Sequence, residues 1–292
     1  MFNKEHCSPR KEKIQDSCLS KTLLIKFSKI LNKNYGANIK IKKRSKKKIF
    51  EEISEFLNNK NNCSTESCWI NIELLSKHLS SRDIKKINAF FKPREPKEWI
   101  ENPNTWLTTT DINNVMEQYE KKYPHFKYYG ATPIDFNLKF IDNTCKVSDL
   151  CEIDLKKLKN KKCIGMVFNT DTHNKSGQHW FSMFIDMKGI NMDEPAIYYF
   201  DSAKPIKNIE EIPVQIIKLI EKLQIQNNYK FNIYFNDIRH QYGNTECGVY
   251  CLHFLTEMLK GKCFLDYKGG DLTDKKIASY RKKFFININI NK

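Results

Sequence analysis

The chain has 292 residues, with 50 Lys or Arg against 34 Asp or Glu, so its formal net charge is +16 and its pI is about 9.2. Hydrophobic residues make up 40% and aromatic residues 12%, which is enough to bury a core and excludes a wholly disordered chain. No apolar segment resembles a secretory signal or reaches the ~20 residues that span a bilayer. We therefore expect one or two globular domains that are neither secreted by that route nor inserted into a membrane.

Ten cysteines are spread along the chain instead of being crowded into a short disulfide framework. Without a secretory signal, reduced thiols are their expected state. Two cysteine groupings were considered as zinc ligands, Cys63 and Cys68 with His78, and Cys145 and Cys151 with Cys163. Both lack the paired C-x2-C knuckles of zinc sites, so the sequence predicts no metal and no other cofactor.

Residues 1–95 are predicted to form a small basic helical domain. Apolar residues recur at helical spacing over 19–31, with Ser17 or Ser20 as a cap, and again over 49–57 and 69–91. A dense basic run lies between the first two helices and consists of Lys40, Lys42, Lys43, Arg44, Lys46, Lys47 and Lys48. Such a run is most often a solvated face, and part of it follows from A/T-rich codons. A patch for nucleic acid or another polyanion is the second interpretation, and a nuclear signal the third.

Residues 96–292 are predicted to form the second domain. A capped helix is indicated over 110–119, and longer helices over 208–226 and 247–260. The clearest strand-like runs are 163–169, 180–186, 196–200 and 231–235. This order of elements predicts an α+β fold, a mixed sheet flanked by helices.

The ends of these predicted elements carry the parts of a cysteine protease. His179 precedes the strand 180–186, and Asp201 closes the next strand, so adjacent antiparallel strands would bring the imidazole and the carboxylate together. Cys247 begins an apolar helix, where free N–H groups stabilise a thiolate. Gln241 lies six residues earlier, and its amide can donate to an oxyanion beside the Cys247 N–H.

Each of these residues has an ordinary interpretation when it is taken alone. A cysteine on a helix is usually a small core residue, and Asp-Ser after a strand is usually a turn. Their joint order, with His-Trp followed by Asp-Ser and then by Gln-x5-Cys-Gly, favours a catalytic set.

The strings His179-Trp180, Phe200-Asp201-Ser202 and 241–248 resemble the signature of the clan that contains the SUMO-specific and adenovirus proteases. Within that clan the chain resembles the African swine fever virus family of polyprotein-processing, SUMO-1-like cysteine proteases. The likeness includes residues 16–21 and 66–68 and covers most of the chain.

This resemblance implies a SUMO-protease/adenain-like catalytic domain that cuts viral structural polyproteins after Gly-Gly, at assembly sites in the host cytoplasm and in virions. It implies Cys247 as nucleophile, His179 as base and Gln241 as oxyanion donor. Asp201 takes the third role, although the swine fever family has Asn at that position. Trp106 resembles a tryptophan that covers a glycine channel. Trp180 is a second substrate-binding candidate, next to the base in sequence.

Two other functions compete with polyprotein processing. A deSUMOylase or deubiquitinase acting on host conjugates would use the same catalytic residues, so only the substrate separates these activities. A basic virion protein that packages nucleic acid could retain a relic protease fold. The complete set of four catalytic residues argues against a dead site.

Overall fold

The structure is a computed structural model that describes residues 4–11, 16–63, 65–69, 71–226 and 230–287. Its contacts define two compact units, Met1–Pro103 with Lys282–Lys292, and Asn104–Arg281. The division therefore lies past the predicted boundary near residue 95, and the C-terminal residues belong to the first unit. Ile286 joins the C-terminal residues to the first unit, because its N–H donates to Pro93 O at 2.8 Å and its carbonyl accepts from Glu95 N at 3.0 Å.

The first unit is helical, as the apolar spacing predicts. Its helices are α1 (Lys21–Tyr35), α2 (Lys46–Asn61), α3 (Glu66–Trp69), α4 (Glu73–Ser76) and α5 (Ser81–Asn88). Ser20 is the residue that caps α1, since its hydroxyl accepts from Leu23 N, and Ser45 caps α2 in the same way. Helix α1 ends at Gly36, whose φ of 67° is a left-handed conformation that glycine adopts at little cost.

Glu66 ties together the two N-terminal segments that carry the family resemblance. Its buried carboxylate accepts from Cys18 N at 2.8 Å and from Leu19 N at 3.4 Å, and it also accepts a hydrogen bond from the Ser17 hydroxyl. Burial raises the pKa of Glu66, while these hydrogen bonds oppose that rise. Residues 16–21 and 66–68 are therefore one structural feature that holds the start of α1.

The expectation of ten reduced cysteines is wrong for six of them. Disulfides join Cys7 to Cys18, Cys63 to Cys68, and Cys145 to Cys151. The partners lie only 11, 5 and 6 residues apart in sequence, and local folding brings their Cα atoms to 5.2, 5.7 and 6.1 Å, within reach of a bridge. The free cysteines are Cys163, Cys247, Cys251 and Cys263.

The second unit contains one five-stranded mixed sheet, which confirms the predicted α+β class. The strands are β1 (Phe126–Pro133), β2 (Cys163–Asn169), β3 (Trp180–Asp186), β4 (Ala196–Phe200) and β5 (Asn232–Phe235). They lie in sequence order, with antiparallel β2/β3 and β3/β4 pairs and parallel β1/β2 and β4/β5 pairs. The sequence predicts four of these strands. It does not predict β1, where a register shift between Tyr128 and Ala131 interrupts the alternation.

Helices cover both faces of the sheet, which explains why β2, β3 and β4 are buried along their whole length. The helices of this unit are α6 (Thr109–Lys122), α7 (Ser148–Cys151), α8 (Val214–Gln226), α9 (Cys247–Leu259), α10 (Phe264–Lys268) and α11 (Asp274–Ala278), and a last short helix, α12 (Arg281–Phe284), begins at the end of the unit. The apolar side chains of helix α8 pack against one face of the sheet. Helix α9 packs on the other, and a Cβ on Gly165 would lie 3.3 Å from Leu255 Cδ2.

One predicted helix is divided in the structure. The segment 208–226 contains a 3-10 turn, Ile209–Glu211, and then α8, because Pro213 cannot continue an incoming helix. The predicted helices over 110–119 and 247–260 are present as α6 and α9. None of the helices in the described part of the chain is long and apolar enough to cross a membrane.

Candidate active site

The register of the β3/β4 hairpin brings His179 and Asp201 together. Ser182 pairs with Phe200 in this antiparallel ladder, so the residue before β3 and the residue after β4 lie at the same end of the sheet. His179 Nε2 lies 2.7 Å from Asp201 Oδ1. The ion pair is largely shielded from water, with side-chain exposures of 20% for His179 and 5% for Asp201.

Asp201 is itself fixed by the backbone around it and by a buried amide. Its Oδ1 accepts from Ala203 N at 3.0 Å and from Lys204 N at 3.1 Å. The fully buried Asn236, directly after β5, accepts from Asp201 N at 2.8 Å and donates to Asp201 O at 2.7 Å. These bonds hold the carboxylate in one orientation toward the imidazole.

Cys247 is the first residue of α9 and is buried, so its sulfur lies near the unpaired N–H groups of the first helical turn. The imidazole of His179 is the neighbouring titratable group. Burial alone would lower the pKa of His179, but the hydrogen bonds and negative charges of Asp201 and Cys247 outweigh burial and raise it to about 10. The His179 imidazole is therefore protonated at neutral pH and lies beside the Cys247 side chain.

Gln241 is buried beside the end of β4, and its amide is held in one orientation. Ser202 Oγ donates to Gln241 Oε1 at 2.7 Å, and Gln241 Nε2 donates to Gly243 O at 2.9 Å. An amide nitrogen has two hydrogens, so one N–H remains for a substrate oxygen. Asp201 thus orients the His179 imidazole, and Ser202, the next residue in the chain, orients the Gln241 amide.

The loop after Gln241 is fixed by a helix start. Asp274, the first residue of α11, accepts at Oδ2 from Tyr242 N at 2.9 Å and from Gly243 N at 2.8 Å. Its Oδ1 accepts from the Tyr250 hydroxyl of α9 at 3.1 Å. Asp274 therefore holds both the loop after Gln241, here called the oxyanion loop, and helix α9.

The loop that contains Trp106 and Leu107, here called the tryptophan loop, lies against the start of α9. Trp180 Nε1 donates to Leu107 O at 2.9 Å. A Cβ on Gly248 would lie only 2.9 Å from Leu107 Cβ, so this position has no room for a larger side chain. Trp180 is mostly buried, whereas Trp106 is 38% exposed and available for contact with another molecule.

The predicted basic run lies in the first unit. Lys40, Lys42, Lys43, Lys47 and Lys48 are exposed. Arg44 lies 3.9 Å from Glu52, and Lys46 Nζ donates to Ser17 O at 2.7 Å. The run thus combines exposed charges with two side chains that stabilise the fold.

The site brings together a thiol, an imidazole held by a carboxylate and an oriented side-chain amide, the kinds of group that acyl transfer by a thiol requires. Four of the five cysteines in the candidate zinc groupings are in disulfides. Among the described residues, no three His, Cys, Asp or Glu side chains lie together as a metal site.

Comparison with known proteins agrees with this chemistry. Residues 116–290 match the Ulp1 protease family, C-terminal catalytic domain. The chain belongs to this family and is a cysteine peptidase. It is 32% identical over 186 residues to a protein of Acanthamoeba polyphaga mimivirus named as a thiol protease, and this match covers 62% of the chain and 57% of that relative.

Two further similarities extend over most of the chain. The SUMO-1 cysteine protease of African swine fever virus, isolate Kenya 1950, is 27% identical over 261 residues, covering 82% of the chain and 89% of the relative. A crystal structure of the African swine fever virus protease aligns with a TM-score of 0.64 at 20% identity, covering 98% of the chain and 97% of that structure. The predicted family and fold are thereby confirmed.

Several residues that support the site are not predicted from the sequence. Ser202 lies within the recognised motif without an assigned role, and Asn236 follows a predicted strand, so both lie at positions where site residues are common. Asp274 and Arg281 lie more than 25 residues beyond Cys247 and have no local signal. Only folding places them against the loops they hold.

Proposed function

We propose that this chain is an endopeptidase that cuts viral structural polyproteins after Gly-Gly during virion maturation. The observation that carries the proposal is the His179–Asp201 hydrogen bond, with Cys247 beside the imidazole and the amide of Gln241 held in one orientation. The similarity to a protease of African swine fever virus over most of both chains supports the viral context. Assembly sites in the host cytoplasm and the virion are the proposed locations.

The proposed reaction proceeds through a thioester. The Cys247 thiolate attacks the carbonyl carbon at the cut, and Gln241 and the Cys247 N–H stabilise the oxyanion of the tetrahedral intermediate. The His179 imidazolium then donates its proton to the leaving amine. A water molecule, deprotonated by the same imidazole, hydrolyses the thioester and restores the thiolate. Asp201 orients the imidazole throughout.

The proposed preference for glycine before the cut follows from the tryptophan loop. Trp106 is exposed on a loop tethered by Trp180 and packed on Gly248, next to the nucleophile. A bulky indole on the loop that packs against Gly248 favours substrate residues that carry no side chain. Trp106 is thus proposed to line the substrate channel, and Trp180 is proposed to hold the tryptophan loop in place.

Replacement of either glycine before the cut by alanine is expected to lower kcat/KM far more than the 10–200-fold typical of one methylene in a tolerant pocket. Peptides ending in Gly-Gly, Gly-Ala, Ala-Gly and Ala-Ala before the same leaving group provide the comparison. Opening the channel by Trp106→Ala should reduce the difference in kcat/KM between the glycine and alanine peptides. Efficient cleavage of the Ala-Ala peptide would rule out the glycine channel without affecting the catalytic assignment.

Ubiquitin-like conjugates are the second candidate substrate, because a relative carries the name SUMO-1 cysteine protease. Parallel assays with a Gly-Gly-containing virion polyprotein, a SUMO fusion and a ubiquitin fusion separate the two functions. Polyprotein processing predicts a much higher kcat/KM for the polyprotein. The opposite ranking would favour a deSUMOylase or deubiquitinase.

The basic run is proposed as a weak polyanion-binding patch that raises the local concentration of the enzyme in nucleic-acid-rich particles. Lys46, Lys47 and Lys48 form the first turn of α2, where positive charges oppose the helix dipole. The loop residues Lys40–Arg44 line an open pocket of ≈560 Å³. Charges at a position unfavourable for the helix support a role in binding.

Changing the exposed Lys40, Lys42, Lys43 and Lys48 to glutamine should weaken DNA binding and reduce its log-affinity slope against log salt, by about 0.9 per lost phosphate contact. Short-peptide cleavage should not change. A matched control carries four other exposed lysines of the first unit as glutamine, Lys29, Lys33, Lys85 and Lys86. Equal slopes for the two variants would show that the run is only a solvated face.

A further inference from the structure

A buried ion pair lies directly against the turn that carries the nucleophile. Arg281 Nε lies 3.0 Å from Glu246 Oε2, and its Nη2 lies 3.1 Å from Oε1, so the contact is bidentate. Both side chains are only 6% exposed. Arg281 Nη2 also donates to Thr245 O at 3.2 Å. Arg281 therefore binds both residues that precede Cys247.

Such a pair is an inefficient way to stabilise a fold. Removing two charges from water costs several kcal/mol per ion, and well-packed apolar residues often stabilise a protein as well or better. Glu246 also places a carboxylate one residue before the nucleophile, and its side chain makes no capping bond to α9. A nearby negative charge disfavours a thiolate. Without the guanidinium, Glu246 would therefore oppose ionisation of Cys247.

The other titratable groups on or facing this turn are His179, Cys251, Tyr250 and Asp274. Burial raises the pKa of the Cys251 thiol well above its usual range, and burial together with Asp274 and Glu246 raises the pKa of the Tyr250 hydroxyl. Both groups therefore stay neutral. Asp274 is engaged by the oxyanion loop and the Tyr250 hydroxyl. The charged groups near the nucleophile are therefore the His179–Asp201 pair and the Glu246–Arg281 pair.

We propose that Arg281 is a positioning residue for the Cys247 thiolate, an inference that rests on the proposed role of Cys247. Its bond to Thr245 O and its bidentate pair with Glu246 fix the turn that begins α9. Its charge compensates the Glu246 carboxylate, so that negative charge on the sulfur is tolerated. Arg281 does not touch the reacting atoms.

The test uses the full chain as Arg281→Met, as Glu246→Gln and as the double variant. Arg281→Met should lower kcat on a Gly-Gly peptide by about 10²-fold, the effect of misplacing a reacting group, with little change in KM. Its pH midpoint for Cys247 alkylation, followed by mass spectrometry, should rise because the Glu246 carboxylate, one residue before Cys247, loses its counterion. Adding Glu246→Gln should restore at least about tenfold of kcat and return the midpoint toward that of the wild type.

Lys260→Met is the matched control, since it breaks an exposed pair with Glu257 at the other end of α9 and should leave both readouts unchanged. An alkylation midpoint that does not move in Arg281→Met, or no recovery in the double variant, would overturn the proposal. If Arg281→Met does not fold, the double variant, which buries no unpaired charge, is assayed alone. An alkylation midpoint of the double variant equal to that of the wild type supports the proposal, and a raised midpoint overturns it. Failure of the nucleophile assignment would appear differently, as activity retained by Cys247→Ala.

Discussion

Cys247→Ala is expected to abolish peptide cleavage, with a loss of about 10⁴-fold or more in kcat, because substrate binding and oxyanion donors alone do not replace a nucleophile. The fold should remain intact, since the sulfur is a small buried group at the first position of α9. Steady-state cleavage of a Gly-Gly peptide and thermal unfolding are the two measurements. Wild-type turnover by the alanine variant would refute the catalytic assignment.

Thiol alkylation provides the specificity control for this prediction. Four cysteines are free, and Cys247 should react fastest because it lies beside the charged imidazole of His179. Burial raises the pKa of Cys163 to about 12, so that thiol should be inert. Cys263 is partly exposed, and Cys263→Ala is the matched variant that should keep full activity. Faster labelling of Cys263 than of Cys247 would contradict the proposed thiolate–imidazolium pair.

His179→Ala is expected to be nearly as severe as loss of the thiol, whereas Asp201→Asn should be milder. The imidazole both accepts and returns the proton, and nothing else in the site can do so. An asparagine at 201 can still accept a hydrogen bond from the ring and keep it oriented. Comparison of kcat/KM for both variants on one peptide gives the ranking. Equal inactivity would show that the charge of Asp201 is required in addition to its hydrogen bond.

The pH profile of Asp201→Asn adds a signed prediction. The charge and hydrogen bond of Asp201 help to raise the pKa of His179 from its usual 6.5 to about 10, so removing the charge should move the alkaline limb of kcat/KM to lower pH. The same raised pKa stabilises the fold fully below pH 6.5, and this contribution is lost as pH rises through about 10. If the alkaline limb of kcat/KM does not move in Asp201→Asn, a group other than His179 causes that limb.

The central strands and the catalytic order could be predicted because their signals are local. Strands β2, β3 and β4 are buried on both faces, so each is a continuous apolar run whose ends are visible in the sequence. His179 and Asp201 stand at the ends of two such runs joined by a short connection. An antiparallel hairpin is enough to bring them together.

Strand β1 and the disulfides were not predicted for two different reasons. The strand contains Gly130, whose φ of 91° accompanies the register shift, so its residues do not alternate regularly. Compartment and composition predicted reduced thiols, but Cys63 and Cys68 pair because their Cα atoms lie only 5.7 Å apart. Neither the bulge nor that approach is encoded in the spacing of residue types.

The sequence alone was enough to predict the α+β class, the bounds of the buried strands, the family and the four candidate catalytic residues, because apolar runs and a motif of fixed order are properties of short segments. The contacts that orient those residues are visible only in the folded chain. Asn236 reaches Asp201 across 35 residues, Arg281 reaches Glu246 across 35, and Asp274 reaches Gly243 across 31. Contacts at such separations depend on how strands and helices pack around the core, and periodicity within a single element carries no information about them.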